Sequence, residues 1–175
     1  MATSLVTGAS RAIGRAVANA GVNTPGRRVE EIPLEEWDRL HAVNLRAPFL
    51  LARRLLPGMI ERGFGRIVLL SSVAAYTGGI IGAHYASSKA GLHGLAHSLS
   101  QPAAGAGVTV NVVAPALIES DMLPADPAAR ERLAASLPVG RLGTPEEVAD
   151  LIAAVVRNGF LTNRSILVDG GRHPT

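Results

Sequence analysis

The sequence predicts an α/β protein with a parallel sheet, and three apolar segments carry this prediction. Residues 66–70, 108–113 and 165–168 are short runs rich in Val, Ile and Leu, as expected for strands buried on both faces. Segments with helical patterning lie between them, and such alternation favours parallel pairing. The 175 residues, 47% hydrophobic and 18% charged, have the length and composition of a single globular domain over residues 1–175.

The first segment predicts a strand, a glycine turn and the start of a helix. Residues 4–6 are apolar, and residues 7–14 (TGASRAIG) contain two glycines. Such a turn aims backbone N–H groups and the positive end of a helix dipole at an anion such as a pyrophosphate. A glycine turn alone is weak evidence. The segment ANAG at residues 18–21 and a loop with Pro25 and Gly26 follow.

Two long helices are predicted next. The first begins after Pro33, with acidic residues in its first turn and arginines later, and extends to about Arg62. Pro48 and Pro57 should bend or interrupt it. The second helix covers residues 84–101, and Pro102 should end it.

The last third predicts a long loop, a helix and a strand. Residues 115–143 predict a loop region with short helices, and so long an excursion is often a substrate lid. Residues 144–147 (TPEE) form a capping box with proline at the first helical position, which predicts a helix to about Arg157. Residues 165–171 contain the last predicted strand.

The chain has one lysine against sixteen arginines, and Lys89 follows one of its two tyrosines, Tyr85, by four residues. Positions i and i+4 share one face of a helix, so the phenol and the ammonium can share a site. A phenol, with a pKa near ~10, becomes a better proton donor when a nearby cation stabilises the phenolate. The alternative is a surface pair one turn apart that contributes a few tenths of a kcal/mol.

Composition argues against several other functions. The net charge is +3, but the arginines are scattered among acidic residues and aromatics are only 3%, which disfavours nucleic-acid binding. The absence of cysteine excludes a disulfide framework and a thiolate metal site. No signal peptide or long apolar run is visible, which predicts a cytoplasmic protein. We expect no metal site, because His84, His93 and His97 lack ligand partners in the sequence and fit a helix surface or interface better.

Together these motifs resemble the short-chain dehydrogenase/reductase family, within it the 3-oxoacyl-(acyl-carrier-protein) reductase-like group. The matching pieces occur in the same order as in the family: TGASRAIG at residues 7–14, ANAG at 18–21, Asn44, Ser72, Tyr85-x-x-x-Lys89, NVVAP at 111–115 and VDGG at 168–171. The resemblance implies a Rossmann-like doubly wound parallel sheet. It also implies an oxidoreductase that transfers a hydride between a nicotinamide cofactor and a carbonyl or alcohol substrate.

The resemblance also implies roles for individual residues. Tyr85 would be the general acid/base, Lys89 would bind the nicotinamide ribose and lower the Tyr85 pKa, and Ser72 would hold the carbonyl oxygen, with Ser71 as the alternative. Asn44 would hold a water in the proton relay. The implied cofactor-binding residues are Gly8, Ser10, Arg11, Ile13, Gly14, Asn19, Gly21, Tyr85, Lys89, Pro115, Ile118 and Ser120.

The resemblance also implies a cofactor preference and an oligomeric assembly. Arg11 favours NADP over NAD, although an exposed arginine at a helix start explains that residue equally well. The partners implied are a small-molecule carbonyl or alcohol substrate and further copies of the chain. A dimer or tetramer would form through helices 35–62 and 84–101.

The chain departs from the family between the glycine turn and ANAG. The family has about 70 residues there, the span of two βαβ units, whereas only residues 15–18 separate Gly14 from Asn19. The second and third strands and most of the fourth are therefore missing, which predicts a central gap or re-pairing in the sheet and weak cofactor binding. The alternative function is a non-catalytic remnant that acts as an oligomerisation partner.

Overall fold

The computed structural model describes residues 14–173, and within them four parallel strands form one sheet. The strands are β1 (Arg15–Ala18), β2 (Gly65–Leu70), β3 (Val108–Pro115) and β4 (Ser165–Val168), adjacent in that order. The apolar runs that predicted β2, β3 and β4 are therefore strands, and the α/β class with a parallel sheet is confirmed. The strand predicted at residues 4–6 lies outside the described residues.

β1 corrects the prediction for the segment after the glycine turn. A helix was expected to begin there, but Arg15–Ala18 is a strand paired with β2, with Ala16 opposite Ile67. Five residues before Asn19 are too few for a stable helix, whereas pairing with β2 satisfies the backbone groups and buries Ala16 and Ala18. By the resemblance, β1 is a remnant of the fourth strand, and it leaves no gap beside β2.

The first long helix is two helices joined by a π-helical segment. α1 (Leu34–His41) leads into five residues of π-helix (Ala42–Arg46) and then into α2 (Ala47–Glu61), and a short 3-10 turn (Val29–Glu31) precedes them. The predicted interruption near Pro48 falls at the start of α2, while Pro57 lies inside that helix.

The second long helix is α4 (Ala83–Ala104), preceded by the short α3 (Ala74–Thr77). The expectation that Pro102 ends this helix is wrong, because α4 includes Pro102 and continues to Ala104. Pro102 removes the N–H that would bond to the carbonyl four residues earlier, and the helix ends two residues after it.

Helices cover both faces of the sheet. On one face, α2 and α4 pack on the strands through side chains that include Met59, Leu92, Ile67 and Leu69. On the other face, α6 (Pro145–Arg157) packs its Val148 and Val155 against Val68, Leu70 and Val113. Alternate residues of β2 thus enter opposite cores, as the pleat of a strand requires.

The segment between β3 and α6 contains α5 (Pro127–Ala135), capped by Asp126. A parallel bridge between Ile118 and Gly143 closes the base of the segment. α6 begins at Pro145 with the predicted capping box and ends at Arg157, as predicted. Within residues 14–173, the helices are too short or too polar to cross a membrane.

Candidate active site at the carboxyl ends of the strands

Except for Gly14, which lies at the amino end of β1, the predicted site residues of the described chain follow the carboxyl ends of three strands or lie on the helices beside them. Asn19 follows β1, Ser71 and Ser72 follow β2, and Pro115 ends β3. In an open α/β sheet, ligands bind outside the carboxyl ends of the strands. The topology therefore gathers residues that are distant in sequence at the expected edge of the sheet.

Tyr85 lies in the first turn of α4 and shares a hydrogen bond with Ser72. Its side chain is 8% exposed. Burial raises the pKa of Tyr85 above its ordinary value, and the hydrogen bond with Ser72 lowers it by a smaller amount. Of the two serines after β2, Ser72 is therefore the one that faces the phenol.

Lys89 is 5% exposed, and its ammonium donates a hydrogen bond of 2.8 Å to the carbonyl oxygen of Leu70 at the end of β2. Burial lowers the pKa of Lys89 to about 8. The Nζ atom lies 6.0 Å from the centre of the Tyr85 ring, so the two groups do share one face of α4. The pKa of Tyr85, however, responds to burial and to Ser72, and its net direction is upward.

Asn44 lies in the middle of the π-helical segment and is fully buried. Its Oδ1 accepts a hydrogen bond from the Val22 N–H at 2.8 Å, and its Nδ2 donates to the Val22 carbonyl at 3.0 Å and to Ser88 Oγ at 3.1 Å. π-helical turns of this kind often occur at functional sites. Here the turn brings the amide of Asn44 against the loop that follows β1.

Gly21, in the same loop, faces Lys89. A side chain at position 21 would place its Cβ 3.2 Å from Lys89 Nζ and 3.5 Å from Asn44 Oδ1. Glycine therefore lets the backbone approach the ammonium closely. Asn19, Gly21, Asn44 and Lys89 lie close together, around the position that a Cβ of residue 21 would take.

Ser71 has a different environment from Ser72. Its hydroxyl donates to the Lys89 carbonyl at 2.9 Å and contacts His93 Nε2 at 2.9 Å. His93 Nδ1 in turn lies 2.8 Å from Ser165 Oγ and 3.3 Å from the Tyr76 hydroxyl. Ser71 thus ties α4 to the end of β2.

The three histidines of α4 are not alike, and the expectation of a helix-surface or interface position is wrong for His84, which is buried inside the chain itself. His84 is fully buried, and its Nε2 lies 2.9 Å from Glu36 Oε1 and 2.8 Å from Thr24 Oγ1. His93 is partly buried, while His97 contacts Asn163. No group of three or more His, Asp and Glu side chains that could hold a metal occurs within residues 14–173.

The remaining predicted residues are spread along the segment after β3. Pro115 accepts a hydrogen bond from the Val73 N–H, Ile118 packs against the α6 side of the sheet, and Ser120 Oγ caps its own turn by donating to the Ile118 carbonyl at 3.3 Å. Gly14 precedes β1, where a Cβ would contact the Phe64 ring. Gly8, Ser10, Arg11 and Ile13 lie outside the described residues.

Sequence reasoning missed Glu36, Thr24 and Arg27. They converge on His84 from a loop and a different helix, and the sequence offers no local pattern that joins them. His84 lies directly before Tyr85, and this position is the one sequence signal that could have pointed to them.

With this geometry in view, the comparisons with known proteins identify the class. A family model described as "Enoyl-(Acyl carrier protein) reductase" matches residues 3–173. The chain therefore belongs to the short-chain dehydrogenase/reductase family, and it resembles the 3-oxoacyl-(acyl-carrier-protein) reductase-like group within it.

Relatives of two names match at similar identity. An acetoacetyl-CoA reductase of Rhizobium meliloti is 37% identical over 161 residues, which cover 90% of this chain and 66% of that protein. A 3-oxoacyl-(acyl-carrier-protein) reductase of Rickettsia conorii is 38% identical over 160 residues, covering 89% and 65%. The chain thus spans slightly less than two thirds of the length of these relatives.

Solved structures agree on the fold. A 3-oxoacyl-(acyl-carrier-protein) reductase from Brucella melitensis superposes with a TM-score of 0.86 at 33% identity, over 90% of this chain and 62% of that one. A protein titled as a putative gluconate dehydrogenase, from Agrobacterium tumefaciens, gives a TM-score of 0.85 at 26% identity, over 91% and 65%. The Rossmann-like sheet is confirmed, and this chain spans 62% and 65% of the lengths of these two solved chains.

Proposed function

We propose that the chain transfers a hydride between a nicotinamide cofactor and a carbonyl or alcohol substrate, in the manner of a 3-oxoacyl-thioester reductase. The observation that carries this proposal is the convergence of a buried ammonium, a glycine backbone and a serine-bonded phenol at one edge of the sheet. Lys89, Gly21, Ser72 and Tyr85 are the residues concerned. The names of the relatives support the reaction class, and the substrate region of residues 115–143 is part of the proposal.

The residues present fit the nicotinamide end of such a cofactor. Gly21, without a Cβ, lets the loop backbone lie close to the Lys89 ammonium, and that ammonium is a donor suited to ribose hydroxyls. Asn19, Gly21, Tyr85, Lys89, Pro115, Ile118 and Ser120 would hold that end, and Gly8, Ser10, Arg11 and Ile13 would hold the phosphates. The expected role of Gly14 in phosphate binding is not kept, because Gly14 lies at the amino end of β1, at the opposite edge of the sheet. The bound cofactor supplies or accepts the hydride.

In this proposal the side chains supply the proton and stabilise charge. Because burial raises the pKa of Tyr85, the phenol is protonated at neutral pH, and the transfer of its proton to the carbonyl oxygen depends on neighbours that stabilise the charges formed. The Ser72 hydroxyl, bonded to the phenol, lies where it can stabilise the developing negative charge. The Lys89 ammonium stabilises the resulting phenolate from the same face of α4, and Asn44 fixes the loop that carries Gly21.

The two tyrosines provide a matched test of this proposal. NADPH oxidation is measured against acetoacetyl-CoA, longer 3-oxoacyl thioesters and simple ketones. We expect Tyr85→Phe to reduce turnover by about 10²–10⁴-fold, the range for loss of a general acid, and Tyr76→Phe to retain it. Equal activity of the two variants would refute the role of Tyr85.

Cofactor affinity tests the effect of the shortened sequence. We predict that the chain binds NADPH more weakly than a full-length relative, and prefers it to NADH through Arg11. Fluorescence titration of both proteins with both cofactors measures this, and micromolar binding by this chain would contradict the prediction of weak binding.

A cytoplasmic location also remains a prediction, which cell fractionation tests.

An exposed aromatic surface favours a second candidate function, oligomerisation without catalysis. Trp37, Phe49 and Leu50 on α1 and α2 are 36–44% exposed, and a groove of about 620 Å³ lies among Asp38, His41, Ala42, Leu45, Arg46 and Phe49. Apolar surface of this kind is typical of contacts between subunits. Light scattering of the chain and of Phe49→Glu, combined with intact mass and the NADPH assay, distinguishes a dimer without turnover from an enzyme.

A further inference from the structure

A polar cluster around the buried His84 joins three parts of the chain next to Tyr85. It consists of Thr24 and Arg27 from the loop after β1, Glu36 from α1 and His84 from α4. Glu36 Oε1 lies 2.9 Å from His84 Nε2 and accepts a hydrogen bond from Arg27 Nε at 3.1 Å. Thr24 Oγ1 lies 2.8 Å from His84 Nε2, so the loop after β1 contacts His84 through Thr24 and Glu36 through Arg27.

The chemistry of the cluster fixes the direction of its hydrogen bonds. Partial burial alone would raise the pKa of Glu36, but hydrogen bonds from Thr24, Arg27 and His84 outweigh it and hold this pKa below its ordinary value. A carboxylate can only accept, so His84 Nε2 carries the hydrogen of their contact. His84 Nδ1 has no hydrogen-bond partner within residues 14–173 and lies against Gly82, whose added Cβ would be 3.3 Å away.

The cluster is one of three attachments of the same loop. Asn44 holds both backbone groups of Val22, the Arg27 N–H donates to the Ile81 carbonyl at 3.1 Å, and the cluster holds the side chains of Thr24 and Arg27. Gly21 lies just before the first attachment, where its backbone covers Lys89 Nζ. The loop position that buries the ammonium therefore depends on contacts made several residues further on.

We propose that Glu36 and His84 are positioning residues that fasten the loop of residues 19–28 to α4, so that Gly21 stays over the Lys89 ammonium. Neither residue needs to touch substrate or cofactor, because each acts through the loop. The inference rests on the proposed function only in treating Lys89 as part of the active site. The loop attachment itself is a property of the folded chain.

The single lysine makes the attachment measurable without turnover. The purified chain is treated with acetic anhydride, and the acetylation rate of Lys89 is read by mass spectrometry of the peptide that contains it. We expect His84→Leu and Glu36→Ala each to raise that rate about tenfold or more, since lost hydrogen bonds to a charged group shift a local opening equilibrium by such a factor. The double variant should add little to either single change, because both break one set of contacts.

Two further variants separate positioning from general loss of stability. His84→Gln places an amide donor near the former Nε2, so we expect slow acetylation to return. His41→Leu removes the contact of His41 Nε2 with Ser87 Oγ, which also joins α1 to α4 but does not touch the loop, so we expect the wild-type rate. Urea unfolding of each variant measures global stability alongside.

Three results would overturn the inference: a wild-type rate in His84→Leu, a fast rate in His84→Gln equal to that of His84→Leu, or the same acceleration in His41→Leu. An absence of NADPH oxidation in all proteins, the wild type included, would instead refute the proposed function. The acetylation rates would still decide the role of the cluster. The two failures are therefore distinguishable.

Discussion

Hydrogen bonds hold the pKa of Glu36 and the pKa of Glu147 below the ordinary value. The two hydrogen-bond networks differ in how far apart their members lie along the chain. Glu147 lies in the capping box of α6, where its carboxylate accepts from the Thr144 N–H and pairs with Arg141 at 2.6 Å, all within a few residues. Glu36 pairs with His84, 48 positions away, and accepts a hydrogen bond from Arg27 in the loop after β1. The first network needs one turn of helix, whereas the second exists only in the finished fold.

The two networks differ in what they stabilise: one stabilises the start of a helix, and the other holds a loop of the candidate active site. Losing the capping box weakens the start of one helix. Losing contacts around the loop of residues 19–28 frees the backbone that covers Lys89, and it leaves buried polar groups without partners. Changes in the loop contacts should therefore alter stability and the site together, and changes at α6 should alter stability alone.

The largest effect is expected at Asn44. Asn44→Ala removes three hydrogen bonds at a fully buried position and leaves both Val22 backbone groups without their partner. We expect a loss of about 2–4 kcal/mol in the free energy of unfolding, measured by urea titration, together with faster acetylation of Lys89. A loss below about 0.5 kcal/mol, typical of surface changes, would contradict the importance of this contact.

A smaller effect is expected at the capping box. Thr144→Ala removes the hydroxyl that accepts from the Glu147 N–H at 3.3 Å. We expect a loss of about 1 kcal/mol, the usual value for an N-cap, in the same urea titration. The acetylation rate of Lys89 should remain that of the wild type, and an increase matching that of Asn44→Ala would remove the distinction between the two regions.

The smallest effect concerns pH. The hydrogen bond from Arg141 and that from the Thr144 backbone lower the pKa of Glu147 to about 2 from 4.5. Because the folded value is the lower one, this carboxylate stabilises the fold above pH 4.5 and loses that contribution as the pH falls towards 2. We expect the stability difference between wild type and Glu147→Gln to shrink over that range, and to shrink also in high salt at neutral pH, since the pair is exposed. A difference that is constant with pH would contradict the assignment.

Features that depend on neighbouring residues could be predicted from the sequence. The capping box, the bounds of α6 and the apolar strands β2 and β3 depend on neighbouring residues and on simple periodicity, so they were predicted well. The Tyr85 and Lys89 pair was recognised because one helical turn places both on the same face. These features need no knowledge of distant contacts.

Features that depend on distant parts of the chain were missed. The strand Arg15–Ala18 exists because β2 offers an edge to pair with, and the burial of His84 depends on Glu36 and Thr24. The π-helical turn at Asn44 is set by its contacts with Val22 and Ser88. The net upward shift of the Tyr85 pKa likewise reflects burial that the i+4 spacing alone does not reveal.

The state of Lys89 tests the account most directly. Incorporation of ¹³C-labelled lysine gives one side-chain resonance, because the chain has a single lysine, and its chemical shift is followed with pH. Burial of the ammonium predicts a titration midpoint at about 8. A midpoint near 10.5, the ordinary value for lysine, would show an ammonium in open water and would contradict the site described for this chain.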